Sequence, residues 1–232
     1  MTGPHTEPDS RPARPVPAWR RATVGERRWP VAVAVLAVAA GQLTLPDDVV
    51  LGTPWLLPSL EVVLLAVLVV VRGPLQDESP HRRRASLVLT GVVSVGNASS
   101  VTLLVVGLLA GRDGDDPATL LASGATIWAT NVIAFALWYW QFDRGGPAAR
   151  ARATREHPDF LFPQMQTPDL APPEWEPGFV DYLYVAFTNA TAFSPTDTMP
   201  LSRWAKATMT LQAAVSLVTV ALVVARAVNV LR

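Results

Sequence analysis

Long apolar runs separated by short polar stretches set the pattern of this chain. The first, Trp29 to Pro46, reads WPVAVAVLAVAAGQLTLP; the second covers Thr53 to Val71, the third Ser86 to Ala110 and the fourth Ala118 to Phe142. Each holds about the 20 residues that carry a helix through a hydrocarbon core of roughly 30 Å. Residues 143–178 break the pattern, being polar with seven prolines, so no helix runs through them. A short run follows, Phe179 to Phe193, which would reach about 22 Å as a helix and is marginal for a crossing. The last run, Ala205 to Leu231, is long again. The pattern predicts an all-α integral membrane fold, a six-helix transmembrane bundle whose short fifth helix either spans or re-enters.

Composition sharpens this. Half of the 232 residues are hydrophobic and 16% are charged, against about 25% charged in an average soluble domain. The formal net charge is zero, so no basic field points to nucleic acid. The absence of cysteine removes disulfides, thiol nucleophiles and Cys-ligated metal. Eighteen arginines against one lysine, with much Ala and Val, suggest a GC-rich bacterial genome. The expected organisation is a disordered cytoplasmic tail (1–28), a four-helix transmembrane region (29–142), a Pro-rich cytoplasmic loop (143–178), and a short helix, turn and final transmembrane helix (179–232).

Charge segregation gives an orientation, because Lys and Arg in short loops stay on the cytoplasmic side. With six crossings and the amino terminus inside, 16 of the 19 basic residues fall on the inner side. The outer side keeps Arg112, Arg203 and Lys206, together with acids such as Asp47, Asp48, Asp113 and Asp115. The expectation is a multi-pass protein of the bacterial inner membrane with both termini cytoplasmic. In that layout Trp138, Tyr139 and Trp140 form an aromatic belt at the inner end of the fourth span, and Trp55 sits at the outer end of the second.

The polar residues inside these runs are where chemistry would lie. Glu61 stands in the second run with nine apolar residues after it, and carboxylates at membrane depth normally face a protein interior or a water-filled path. Counted at about 1.5 Å per residue, Asn97 and Asn131 fall near its depth, and Asn189 and Gln212 could join from the last two runs. Such a polar layer would suit an ion, a proton or a small solute; the alternative is hydrogen-bonded packing between helices. Gly107 and Gly111 have the spacing of a close-packing seam. Within 143–178, the apolar patch Asp159 to Met165 (DFLFPQM) would pack on the bundle, lie on the membrane surface or dock a partner.

The carboxyl-terminal stretch DYLYVAFTNATAFSPTDTMPLSRWAK, from Asp181 to Lys206, carries two resemblances. Through Asp181, Leu183, Tyr184, Phe187, Thr196, Asp197, Ser202 and Arg203 it resembles the bacterial integral membrane proteins grouped as domain of unknown function 1345, which implies a multi-span layout and no particular activity. The same stretch is similar to the pore loop of tetrameric potassium channels. Ala190 and Thr191 fall where that family's pore helix ends, Asp197 on the acid after its filter, and Pro200 and Trp204 on the following turn and helix start. The filter glycines are absent: Ala192, Phe193, Ser194, Pro195 and Thr196 stand there, and Pro195 restricts the backbone that a column of carbonyls needs. The charge-derived topology also opposes a pore helix entering from outside. Thr191, Ser194, Thr196 and Asp197 are therefore read first as a turn between the fifth and sixth spans and second as a degenerate pore loop.

No His-Glu-x-x-His, phosphate-loop or Gly-x-Ser-x-Gly motif occurs, so no catalytic residue, cofactor or metal is expected and the chain is not read as an enzyme. The function expected from the sequence is a conduit for a small ion or solute. A non-conducting scaffold and a channel-like homo-oligomer are the other readings. The partners expected are membrane lipid, further copies of the chain and an unidentified small ion or solute.

Overall fold

The structure is a computed structural model in which residues 16–70, 79–111, 116–191 and 197–230 are described. They are mostly helical. The α-helices are α1 (Trp29–Gln42), α2 (Leu56–Val70), α3 (Pro80–Ala110), α4 (Pro117–Phe142), α5 (Pro147–Ala151), α6 (Pro163–Gln166), α7 (Phe179–Thr191) and α8 (Arg203–Val230). Two short strands, β1 (Phe160–Leu161) and β2 (Met199–Pro200), pair antiparallel. Three helices, α3, α4 and α8, are long and apolar enough to cross a membrane; α1 and α2 are apolar but shorter.

The boundaries follow from local chemistry. Pro80 and Pro117 open α3 and α4, where a missing N–H costs nothing. Ser79 accepts from Arg82 N, and Asp116 accepts from Ala118 N and Thr119 N, so both helices begin on a side-chain cap. Gly111 ends α3 in the left-handed region at φ 63°. A Cβ at Gly107 or Gly111 would meet nothing within 4 Å, so their spacing marks a helix end and not a packed seam. Close packing occurs instead at Gly124 of α4, where a Cβ would lie 2.8 Å from both γ-methyls of Val223 on α8.

The central helix is α4, buried on more than one face and packed against α1, α3, α7 and α8. The other long helices bury single stripes; on α8 the stripe is Ala205, Gln212, Ser216, Thr219, Val223 and Ala227. At one end of the bundle Val223 and Ala227 close with Leu45, Leu104 and Leu120. At the other end the polar segment folds back as a cap. Phe160, Phe162 and Met165 are buried there against Tyr139, Tyr182 and Trp19, so the DFLFPQM patch packs on the bundle.

The cap decides where α7 goes. Phe160 pairs with Pro200 and Leu161 with Met199, so the segment before α7 is joined to the connection after it. Leu201 N donates to Asp159 O at 2.8 Å, and Trp204 Nε1 donates to Asp159 Oδ1 at 2.8 Å. Moreover, α7 and α8 run parallel: Gln212 Nε2 donates to Ala186 O and Ser216 Oγ to Ala190 O, each at 2.9 Å, so four residues along one helix match four along the other. The sequence leaves a crossing and a re-entry open for the short fifth helix; in the structure the segment before α7 and the start of α8 lie at one end of the bundle. The 13 residues of α7 cover only about 20 Å, and the chain returns to the end it left.

The first and last described residues lie at opposite ends of the bundle. Residues 16–28 sit at the cap, where Trp19 O accepts from Arg144 Nη1 at 2.6 Å and Thr23 N donates to Ala151 O at 2.8 Å. The last residues of α8 lie at the far end. Every described Arg and Lys except Arg226 lies at the cap end, since Arg83 Nη1 reaches Gly145 O and Arg203 opens α8.

Candidate functional site

The polar residues singled out in the sequence do not form one layer. Depth counting assumed helices that all cross from a common plane, whereas α2 begins only at Leu56 and α7 starts from the same end as α8. Three groups result. In the first, Glu61 is fully buried and accepts from Gln42 Nε2 of α1 at 2.9 Å. In the second, Asn97 Nδ2 of α3 donates to Asn131 Oδ1 of α4 at 3.3 Å, both residues buried. Gly96 joins these two groups, because a Cβ there would lie 3.2 Å from Gln42 Nε2.

The third group holds α7 to the core. Gln212 Oε1 accepts from Tyr139 OH at 2.7 Å and from Asn189 Nδ2 at 2.8 Å, while Asn189 Nδ2 also reaches Met209 O at 2.9 Å. Beyond Asn189, Thr191 is exposed at the last turn and its hydroxyl bonds back to Phe187 O and Thr188 O. Asp197 is exposed. Ser194 and Thr196 lie outside the described residues, as do the other positions matched to the channel filter. An open groove of about 920 Å³ runs beside the end of α7, with Asn189, Thr191, Thr210, Ser216 and Trp128 in its wall.

The aromatic belt expected at the end of α4 is replaced by interior contacts. Tyr139 and Trp140 are buried; Trp140 Nε1 donates to Glu26 Oε1, and Trp138 Nε1 donates to Ser94 Oγ at 2.8 Å. Trp55 is exposed at the start of α2. His81 and His157 are exposed.

The sequence reading missed a buried ionic network at the cap, having taken its charges as solvated loop. Asp143 Oδ1 accepts from Asp159 N and Phe160 N, and Oδ2 from Tyr182 OH at 2.5 Å. Arg144 Nε and Nη2 donate to Arg155 O. Arg150 donates to Trp140 O and Asp143 O, stands 5.0 Å over the Tyr182 ring, and reaches Glu26 Oε1 at 3.4 Å. Glu26 Oε2 accepts from Phe179 N at 2.6 Å, at the opening of α7. Burial pushes the Glu26 carboxyl above its ordinary value, with Arg150, Trp140 and Phe179 pulling it partly back. These groups are tied to one another in an anchor that fixes the tail, the end of α4 and the start of α7. The only sequence signal was Asp143 and Arg144 directly after an apolar run, with Tyr182 one turn into the next.

The chain matches no family model, no curated protein and no solved structure.

Proposed function

We infer that this is an integral protein of the bacterial inner membrane in which α1, α2, α3, α4 and α8 cross and α7 dips in from the arginine-rich, cytoplasmic face and returns. In this reading α7 and α8 line a conduit for a small ion or solute. The observation that carries it is the parallel course of α7 and α8 from one end of the bundle. A helix that enters a bilayer and turns back leaves irregular backbone at depth, which is tolerated where that backbone is buried in protein or lines a water-filled cavity. The groove beside α7 is mostly apolar, with Asn189, Thr191, Thr210 and Ser216 among the polar groups in its wall, and in this reading it is that cavity. The C-terminal carbonyls of α7 also point inward, and the negative end of a helix favours a cation. Because the groove is open along the single chain, a neighbouring copy would close it, which agrees with the channel-like resemblance of this stretch.

Reconstitution tests this. Purified protein in liposomes should pass potassium, sodium or protons faster than empty vesicles, and Asn189→Leu should remove most of that flux while the protein still folds. Vesicles that leak no faster than controls for every cation, anion and small neutral solute tried would end the conduit reading.

A scaffold that conducts nothing is the second reading, favoured by one feature of the cap. A groove of about 750 Å³ opens between residues 16–21 and 164–175, walled by Trp19, Met165, Pro172 and Trp175. Apolar walls with a few polar groups suit a ligand or a peptide. A flux-silent protein whose cap binds a cytoplasmic partner through Trp175 would favour this reading.

A further inference from the structure

We propose that Gln42, Glu61 and Asn97 hold a monovalent metal cation inside the bundle, near the end opposite the arginines. The four side chains concerned come from four helices and are almost wholly buried: Gln42 is 7% exposed, Glu61 0%, Asn97 6% and Asn131 1%. Two hydrogen bonds use part of their capacity, from Gln42 Nε2 to Glu61 Oε1 and from Asn97 Nδ2 to Asn131 Oδ1. Among the described residues three buried oxygens then have no donor, namely Glu61 Oε2, Gln42 Oε1 and Asn97 Oδ1, and Asn131 Nδ2 has no acceptor. Buried polar atoms without partners are few in native proteins, each costing about as much as a lost hydrogen bond. The two hydrogen-bonded pairs are neighbours, because a Cβ on Gly96, one residue before Asn97, would lie 3.2 Å from Gln42 Nε2.

Charge decides what fills it. The described residues bring Glu61 only a neutral amide as a partner, and all their basic residues except Arg226 lie at the far end. A carboxylate away from water needs a proton or a cation. A proton on Oε2 adds one donor and leaves at least one amide oxygen unmet. A cation cancels the Glu61 charge, and in this proposal the Gln42 and Asn97 amide oxygens complete its ligands. One carboxylate balances one positive charge, and a carboxylate with amide carbonyls is a hard oxygen set of the kind that takes alkali and alkaline-earth ions. The approach is acidic as well: Asp47 and Asp48 are exposed in the turn that follows α1, and Glu61 lies five residues from the start of α2.

The inference uses the membrane reading for its low-dielectric surround and does not need the conduit. Binding without flux would overturn the conduit and leave the site standing; flux without binding would do the reverse. The experiment is thermal unfolding of the purified full chain, followed by tryptophan fluorescence, in sodium, potassium or N-methylglucamine chloride at equal ionic strength. Sodium or potassium should raise the midpoint saturably by about 5 °C over the organic cation. Glu61→Gln preserves the bond to Gln42 and should lose that rise, and Asn97→Leu should weaken half-saturation by roughly tenfold or more. A wild-type midpoint that ignores the metal cation, or follows pH alone, would overturn the site, as would an undiminished rise in Glu61→Gln. Should that variant not fold, the wild-type titration with Asn97→Leu decides.

Discussion

Asp159 receives the indole N–H of Trp204 at 2.8 Å, which fastens the first turn of α8 to the segment that leads into α7. With the ladder between Phe160 and Pro200 beside it, this contact holds the segment before α7 and the start of α8 at one end of the bundle. The consequence is measurable in sidedness. The chain has no cysteine, so single introduced cysteines report cleanly. Cysteines replacing Thr167 and Leu201, both exposed, should label from one side of sealed vesicles, and one replacing Asn229 from the other. Six crossings would instead group Thr167 with Asn229 and leave Leu201 alone.

The buried acid of the cap should be costly to remove. Asp143 accepts two backbone N–H groups and the Tyr182 hydroxyl, so Asp143→Ala strands three donors. The expected loss is about 3 kcal/mol, against about 1 kcal/mol for Tyr182→Phe, which removes one bond. Unfolding in mixed micelles measures both. The double variant should lose less than the two separate losses together, since the Tyr182 hydroxyl has no acceptor once Asp143 is gone. Strict additivity would mean that the two residues act independently.

Much of the helical pattern was legible because it needs only composition along the chain: α4 begins at Pro117 and ends at Phe142, against an expected Ala118 to Phe142. The course of α7 was not, and the reason is specific. Six crossings leave Arg112, Arg203 and Lys206 on the minority side; a re-entrant α7 leaves Arg112, Arg226 and Arg232, the same number. Charge counting cannot separate the two layouts; what bears on the choice is long-range, the pairing of Phe160 with Pro200 and the parallel contacts of α7 with α8. The polar residues were found by type, but not the hydrogen bonds that pair them. Glu61 was paired by depth with Asn97 and Asn131, while its hydrogen-bond partner, Gln42, stood unremarked at the end of the first run.

Glu26 gives the cap a pH dependence. Burial holds its native value above the ordinary 4.5, so the folded state binds this proton more tightly than the unfolded chain does. The corresponding stability is fully present below the ordinary value and is lost as pH rises through the raised one. Glu26→Gln should flatten that part of the stability profile in mixed micelles while keeping an acceptor for Trp140 or Phe179. A profile of the same slope in wild type and variant would assign the dependence to another group.

Gly124 of α4 lies against Val223 of α8, and the contact can be tested by a cycle of the two residues. A methyl group on Gly124 would sit 2.8 Å from both γ-carbons of Val223, a distance that neither helix backbone can absorb without moving α8. Gly124→Ala should therefore destabilise by about 1–3 kcal/mol through overpacking. Val223→Ala alone should also destabilise, because Val223 is 5% exposed in a packed cluster with Leu104 and Leu120. Combining them removes the clash, so the double variant should be more stable than Gly124→Ala alone, and the coupling should exceed about 0.5 kcal/mol. A double variant less stable than either single one would show that α4 and α8 do not meet at this pair.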